Sequence, residues 1–236
     1  MDPSILIFDS PQKVAEASCD QILRLLDQAR GERGSATLAV SGGSTPRIMF
    51  EAMAKRPFDW SNVQVFQVDE RCVPPDSDQS NFRMIRESLL NSIPIGENQF
   101  HRVVSELAPE EAARLYVEDI RRTFDLSPGE LPVFDVIHRG MGPDGHTASL
   151  FPGEPLLADR TGIAAAVYVE KFKQHRITLL RGVLECARHT LCLVAGKEKA
   201  EAFSRIFLEP YDPVRVPSQI GSQDTVWYID RAVDDG

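Results

Sequence analysis

The chain has 236 residues, of which 42% are hydrophobic and 26% charged, a composition that supports a real core and excludes a disordered polypeptide. Its 35 acidic and 26 basic residues leave a formal charge of −9, which argues against a nucleic-acid partner or a polybasic membrane surface. An acidic chain that takes an anionic substrate must build a local positive pocket against its own field.

The N-terminus, Met1-Asp2-Pro3-Ser4, carries an acid at position 2, and the apolar stretch Ile5–Phe8 is too short for a signal peptide. No run approaches the roughly 18 apolar residues of a membrane span. Cys19, Cys72, Cys186 and Cys192 contain no C-x-x-C pair, so neither a zinc site nor a disulfide framework is expected, and the expected compartment is the cytoplasm.

Ile5–Phe8 predicts a strand. Ser10 and Pro11 then supply an N-cap and a first helical residue for a helix to Gly31, with Val14, Ile22, Leu25, Leu26 and Ala29 on one face. Ala36–Val40 predicts a buried strand, and Pro46 starts a helix to about Lys55. Val63–Val68 is a further strand, followed by an irregular polar stretch from Asp69 to Ser80. Helices are predicted over Asn81–Leu90 and Pro109–Phe124, and a strand over Phe134–His138. Then come strands Ala164–Val169 and Ile177–Leu180, a helix at Gly182–Ala187, strand Leu191–Ala195, helix Lys197–Leu208 and strand Thr225–Ile229. This alternation implies a mostly parallel α/β sheet with helices on both faces, in a single domain spanning 1–236. Ligands of such sheets bind beyond the carboxyl ends of strands, where the polar and Gly-rich sequence of this chain also falls.

Ser41-Gly42-Gly43-Ser44-Thr45-Pro46 follows a strand and opens a helix. It is either an anion cradle, built from backbone N–H groups, hydroxyls and a helix N-terminus, or a tight turn with capping hydroxyls. It lacks the features of a Walker A loop or a dinucleotide fingerprint. Asp69-Glu70-Arg71, at the end of another strand, cannot all be buried and must face a cleft or solvent. Gly142-Pro143-Asp144-Gly145-His146-Thr147 is the most specific feature. Its glycines demand a contorted backbone, and His146, placed where a helix can begin, has an ordinary pKa of about 6.5 that suits proton transfer, with Asp144 close enough to orient it. The other histidines lack such framing; His138-Arg139, odd at the end of an apolar strand, is expected to reach solvent at the cleft rim. No H-E-x-x-H or similar cluster is present, so neither metal nor cofactor is expected, and without a G-x-S-x-G elbow Ser149 is expected to be structural. Arg176 and Lys199, with Arg71, offer the positive charge that a phosphate needs.

In order along the chain, Ser41–Pro46, Asp69-Glu70-Arg71 with Ser80-Asn81, G-M-G-P-D-G-H-T-A-S-L-F-P-G over Gly140–Gly153, Arg176-Ile177-Thr178 and Gly196-x-x-Lys199-Ala200 resemble the 6-phosphogluconolactonase family. The resemblance implies a Rossmann-like three-layer α/β/α sandwich shared with glucosamine-6-phosphate deaminases. It implies hydrolysis of 6-phospho-D-glucono-1,5-lactone to 6-phosphogluconate in the oxidative pentose phosphate pathway, by a monomer or homodimer. It implies His146 as the general base with Asp144 beside it, and Arg71 steadying the oxyanion. Gly42, Gly43, Ser44, Thr45, Arg176 and Lys199 are then phosphate or substrate contacts, and Asp69 lines the site. The family strand before the glycine turn usually ends in two aliphatics, where this chain has His138-Arg139. A deaminase on the same scaffold resembles D-G-H-x-A-F-N-E-P, with a glutamate where this chain has Phe151, which cannot transfer protons. A sugar-phosphate-binding regulator would often lose the base or gain a DNA-binding module, and neither is seen.

Overall fold

In the computed structural model, which describes residues 4–236, the apolar runs become strands and the amphipathic ones helices. Residues 1–3, included above in the N-terminal reading, lie outside the described residues. In chain order the strands are β1 (Ser4–Phe8), β2 (Ala36–Val40), β3 (Val63–Gln67), β4 (Asp69–Arg71), β5 (Phe100–His101), β6 (Val136–Gly140), β7 (Ala164–Val169), β8 (Gln174–Leu179), β9 (His189–Val194) and β10 (Thr225–Asp230). The helices are α1 (Pro11–Arg33), α2 (Ser44–Met53), α3 (Asn81–Ser88), α4 (Pro109–Phe124), α5 (Arg181–Cys186), α6 (Ala200–Leu208) and α7 (Arg231–Asp234). The first helix shows how local chemistry sets its limits. The Ser10 hydroxyl accepts from the Lys13 N–H, Pro11 occupies the first turn, and Gly34 stops the helix in the left-handed region with φ 78°.

Among the described residues seven strands pair in parallel in the order β1-β10-β9-β6-β2-β3-β5. One face packs α1, α2 and α3 against Leu38, Val40, Val63, Val65, Val136 and Leu191. The other packs α4 and α5 against Ala39, Phe66 and Ile137, and α6 against Cys192, Val194, Trp227 and Ile229. From β2 the chain winds outward to β3 on one side, while β6 lies on the other, so a crevice opens at the carboxyl ends of β2 and β6. No helix among the described residues is long and apolar enough to cross a membrane.

The structure departs from the sequence reading in three places. The first is a second, antiparallel sheet, β4-β8-β7, that branches from the end of β3. Val68 joins the two sheets, its N–H donating to Val40 O (2.8 Å) and its carbonyl accepting from Leu179 N–H (2.8 Å). The stretch after Val68 therefore begins as a strand, not as irregular chain. The second is β5, two residues long, at the edge of the main sheet.

The third concerns His138 and Arg139, which do not reach solvent: both are fully buried. β6 lies between β9 and β2 in the middle of a sheet covered on both faces, so its last side chains meet core rather than rim. Arg139 Nη2 donates to the Ile220 carbonyl and to Thr225 Oγ1 (3.2 Å). His138 packs edge-on to Phe50, its ring centroid 6.2 Å away, and neither ring nitrogen has a hydrogen-bond partner.

Burial pushes the His138 pKa down to about 3. An unfolded histidine takes up its proton near pH 6.5, so between these two values the unfolded chain binds a proton that the folded one refuses. Stability is then lost as pH falls through this window. Between pH 7 and pH 5 the native chain should lose about 2 kcal/mol more than His138→Leu, which removes the titrating group and fits the apolar site. Urea unfolding of both at the two pH values measures this; equal losses would show that His138 is not held neutral by its burial.

Candidate active site

The crevice is a cleft of about 230 Å³. Its wall is formed by the loops that follow β2, β3, β6 and β9, together with a side chain from β8.

After β2, Gly43 adopts φ 131° and α2 begins at Ser44 without any side chain capping it. The first N–H groups of the helix therefore face the cleft unsatisfied, with the positive end of the helix dipole behind them. Gly42 is required by contact: a Cβ there would fall 1.9 Å from Asn81 Oδ1. Ser41 Oγ, buried beside it, has no partner.

β4 and β8 pair so that Arg71 stands directly opposite Arg176. Like charges in that register repel unless neighbours or a ligand compensate. Asp69 is buried, and its Oδ2 accepts from Ser149 Oγ (2.7 Å), which in turn accepts from Arg176 Nη1 (3.4 Å). Arg176 also lies over the rings of Phe172 (4.8 Å) and Phe151 (5.6 Å). Burial lowers its pKa, Asp69 opposes that and Arg71 adds to it, yet a guanidinium stays charged. Arg71 Nη1 donates to Gln79 O (2.6 Å), while Nε of both arginines, buried, has no partner. Among the described residues Arg71, Arg176 and Lys199 form no ion pair. Between them an acidic protein has assembled a pocket in which three cations face a single carboxylate, that of Asp69.

Glu70 is fully buried and turned away from this pocket. Its carboxyl accepts from Gln67 Nε2, Ser80 Oγ and the N–H groups of Arg71, Asn81 and Phe82. Burial pushes its pKa up against these five donors. Glu70 thus ties β4 to the start of α3, and Asn81 extends the tie by donating to Asp69 O (2.9 Å).

After β6 the Gly142–Thr147 segment closes on itself. The Gly142 N–H donates to His146 O (3.0 Å) and the Gly145 N–H to Gly142 O (3.0 Å), with Gly145 at φ 82°. No helix starts at His146; the chain turns again through Ala148, held at φ 52°, and Leu150 bonds back to Thr147 (3.0 Å). A Cβ on residue 142 would lie 2.1 Å from His146 Cε1, so only glycine lets the imidazole sit here. One face of the ring stacks on Phe151, centroids 4.2 Å apart.

His146 Nδ1 is 2.5 Å from Asp144 Oδ1, and Lys171 Nζ donates to Asp144 Oδ2 (2.8 Å). Burial works against an ionised Asp144, but the hydrogen bonds from His146 and Lys171 outweigh it and hold the carboxyl well below the usual carboxylate range. An ionised carboxylate only accepts, so Nδ1 carries a proton, and in the neutral imidazole Nε2 is the nitrogen with the free lone pair. His146 lines the cleft and Asp144 stands behind it.

The structure thus brings Gly42, Gly43, Ser44, Thr45, Asp69, Arg71, His146, Arg176 and Lys199 around one cleft and leaves Asp144 off its wall. Sequence reasoning named Asn81 only within the Ser80-Asn81 segment, without a role, and passed over Lys171 and the bridging part of Ser149. Ser149 and Lys171 meet their carboxylates across 80 and 27 residues, which no local pattern reveals.

A family model described as glucosamine-6-phosphate isomerases/6-phosphogluconolactonase matches residues 9–227. A 6-phosphogluconolactonase of Synechocystis is 34% identical over 98% of this chain and 97% of its own length, and one of Rhizobium meliloti is 36% identical over 87% and 88%. Among solved structures, the 6-phosphogluconolactonase of Trypanosoma cruzi superposes with a TM-score of 0.88 at 26% identity, covering 100% of this chain and 97% of that one. That of Thermotoga maritima gives 0.84 at 29%, covering 96% and 99%. With the family model matched over residues 9–227 and relatives similar over nearly its whole length, this chain belongs to the family of glucosamine-6-phosphate isomerases and 6-phosphogluconolactonases.

Proposed function

We propose that the chain hydrolyses 6-phospho-D-glucono-1,5-lactone to 6-phospho-D-gluconate, the lactone-opening step of the oxidative pentose phosphate pathway. The observation that carries this reading is a histidine whose Nδ1 is fixed by an ionised aspartate, opening onto a cleft whose three cations have no carboxylate partners. His146 Nε2 takes a proton from water, and the hydroxide adds to the C1 carbonyl. Arg71 stabilises the charge that develops on the carbonyl oxygen. As the tetrahedral intermediate collapses, the C1–ring oxygen bond breaks and the imidazolium returns its proton to the leaving oxygen. The phosphate is held by the open N–H groups of α2 with the Ser44 and Thr45 hydroxyls, by Arg176 and by Lys199. Asp69, through Ser149, keeps Arg176 in place. The reading carries with it one domain over 1–236, a monomer or homodimer, no nucleic-acid partner, and a cytoplasmic location that four cysteines without a disulfide support.

Replacing His146 with Gln should lower kcat by about 10²–10⁴-fold, with little change in KM. The assay is proton release from freshly made lactone, run in EDTA and corrected for spontaneous hydrolysis; a folded variant with near-native turnover would remove His146 from the mechanism.

Lys199→Ala should cost about 1.5–3 kcal/mol in kcat/KM for the phosphorylated lactone, the range for a charged hydrogen-bond donor, and far less for unphosphorylated gluconolactone. Equal losses on the two substrates would assign Lys199 to the fold or the lactone ring.

Isomerising and deaminating an amino sugar needs a further proton-transfer group, and Phe151 packs its ring on His146 at the position where the deaminase-like pattern has glutamate. Glucosamine 6-phosphate should therefore yield no ammonia at high enzyme concentration. Ammonia release that disappears in His146→Gln would overturn the lactonase reading.

A further inference from the structure

Asp144 has two oxygens with different duties. Oδ1 faces the backbone N–H (3.2 Å) and Nδ1 (2.5 Å) of His146, and Oδ2 accepts from Lys171 Nζ (2.8 Å). Lys171 comes from another part of the fold, the turn between β7 and β8, and that turn is seated on the His146 loop by more than one contact. Phe172 meets Phe151 edge-on at 5.9 Å and lies under the Arg176 guanidinium at 4.8 Å. Lys173 closes the turn in the left-handed region, φ 48°.

An aspartate χ2 is a broad, roughly two-fold torsion, so a carboxylate anchored at one oxygen rocks about its Cβ–Cγ bond. Lys171 anchors the second oxygen. We propose that Lys171 is a positioning residue for the hydrolysis: it fixes the plane of the Asp144 carboxylate, so that the imidazole keeps its proton on Nδ1 and presents Nε2 to the cleft. This rests on the lactonase reading for its consequence in turnover, but the placement of the imidazole proton is a property of the free protein. Lys171 is half-exposed, with 54% of its side chain accessible, so removing it leaves the core untouched. Its contribution to stability is accordingly small.

The test compares the native protein with Lys171→Met, which keeps the chain length without the charge, and Lys171→Arg, which restores a cation. Histidine ¹⁵N spectra of the free proteins report the tautomer, and kcat and KM report the reaction. We expect the Nδ1-protonated form in the native protein and a tautomer mixture in Lys171→Met. We further expect kcat to fall about 10-fold with KM within about 2-fold, and Lys171→Arg to restore the tautomer and kcat. An unchanged tautomer in Lys171→Met overturns the proposal, whatever happens to turnover. A native protein that leaves the lactone intact defeats the functional reading instead, and the spectra still decide the part played by Lys171.

Discussion

Two arginines placed opposite one another across β4 and β8 set the terms for the rest of this structure. That register is unfavourable in itself, because the two charges sit on neighbouring strands with no carboxylate at ion-pair distance. The cost is contained by fixed partners on one side only. Asp69 acts through Ser149, two aromatic rings lie under Arg176, and the Gln79 carbonyl takes one Arg71 donor. On the other side the buried Nε groups stay open. On the proposed function, an anion entering the cleft supplies the compensation that the fold withholds, and so a protein of charge −9 attracts a phosphate ester.

The second sheet exists to hold that arrangement. β4 is three residues long and charged throughout, so it has no propensity of its own to form a strand. It forms because Glu70, buried among five donors, welds it to α3, and because Val68 carries the hydrogen bonding of the main sheet across to β8. Such cause lies in contacts distant along the chain. For this reason the charged triplet was legible as a functional strand end, yet its strand pairing was not. The glycine-framed turns were legible for the opposite reason. Gly42 and Gly142 are demanded by close approach to Asn81 and to the His146 ring, and such demands leave a local signature. The main sheet was readable from apolar runs because its central strands are covered on both faces. The same coverage misled at His138-Arg139. Polar residues at a strand end suggest solvent, whereas the middle of a sheet buries whatever the chain puts there.

The His146 loop is held from several directions. Behind it, Ser218 donates its N–H (2.9 Å) and its hydroxyl (2.8 Å) to Gly145 O. The segment that carries Ser218 is tied in turn to the central strand, since Arg139 donates to Ile220 O and Thr225 Oγ1. The buried arginine that departs from the family's aliphatic pattern is therefore one of the struts beneath the turn. Its two unpartnered nitrogens are the cost of placing a guanidinium in the core.

Phe151 shows how one side chain narrows the chemistry a scaffold can perform. Its ring stacks on one face of the imidazole and Gly142 leaves room at the Nδ1–Cε1 edge, which sets the plane of the ring. That plane contains both nitrogens, and Asp144 holds one of them. The other is left with a single direction in which to exchange a proton, towards the cleft. On the proposed function, an imidazole held in this way suits a reaction that needs one proton removed from water and returned to a leaving oxygen. An acid–base residue in place of Phe151 would add a second transfer group but remove the apolar surface that confines the first. In this chain the two arrangements compete for the same space, and the aromatic ring has it.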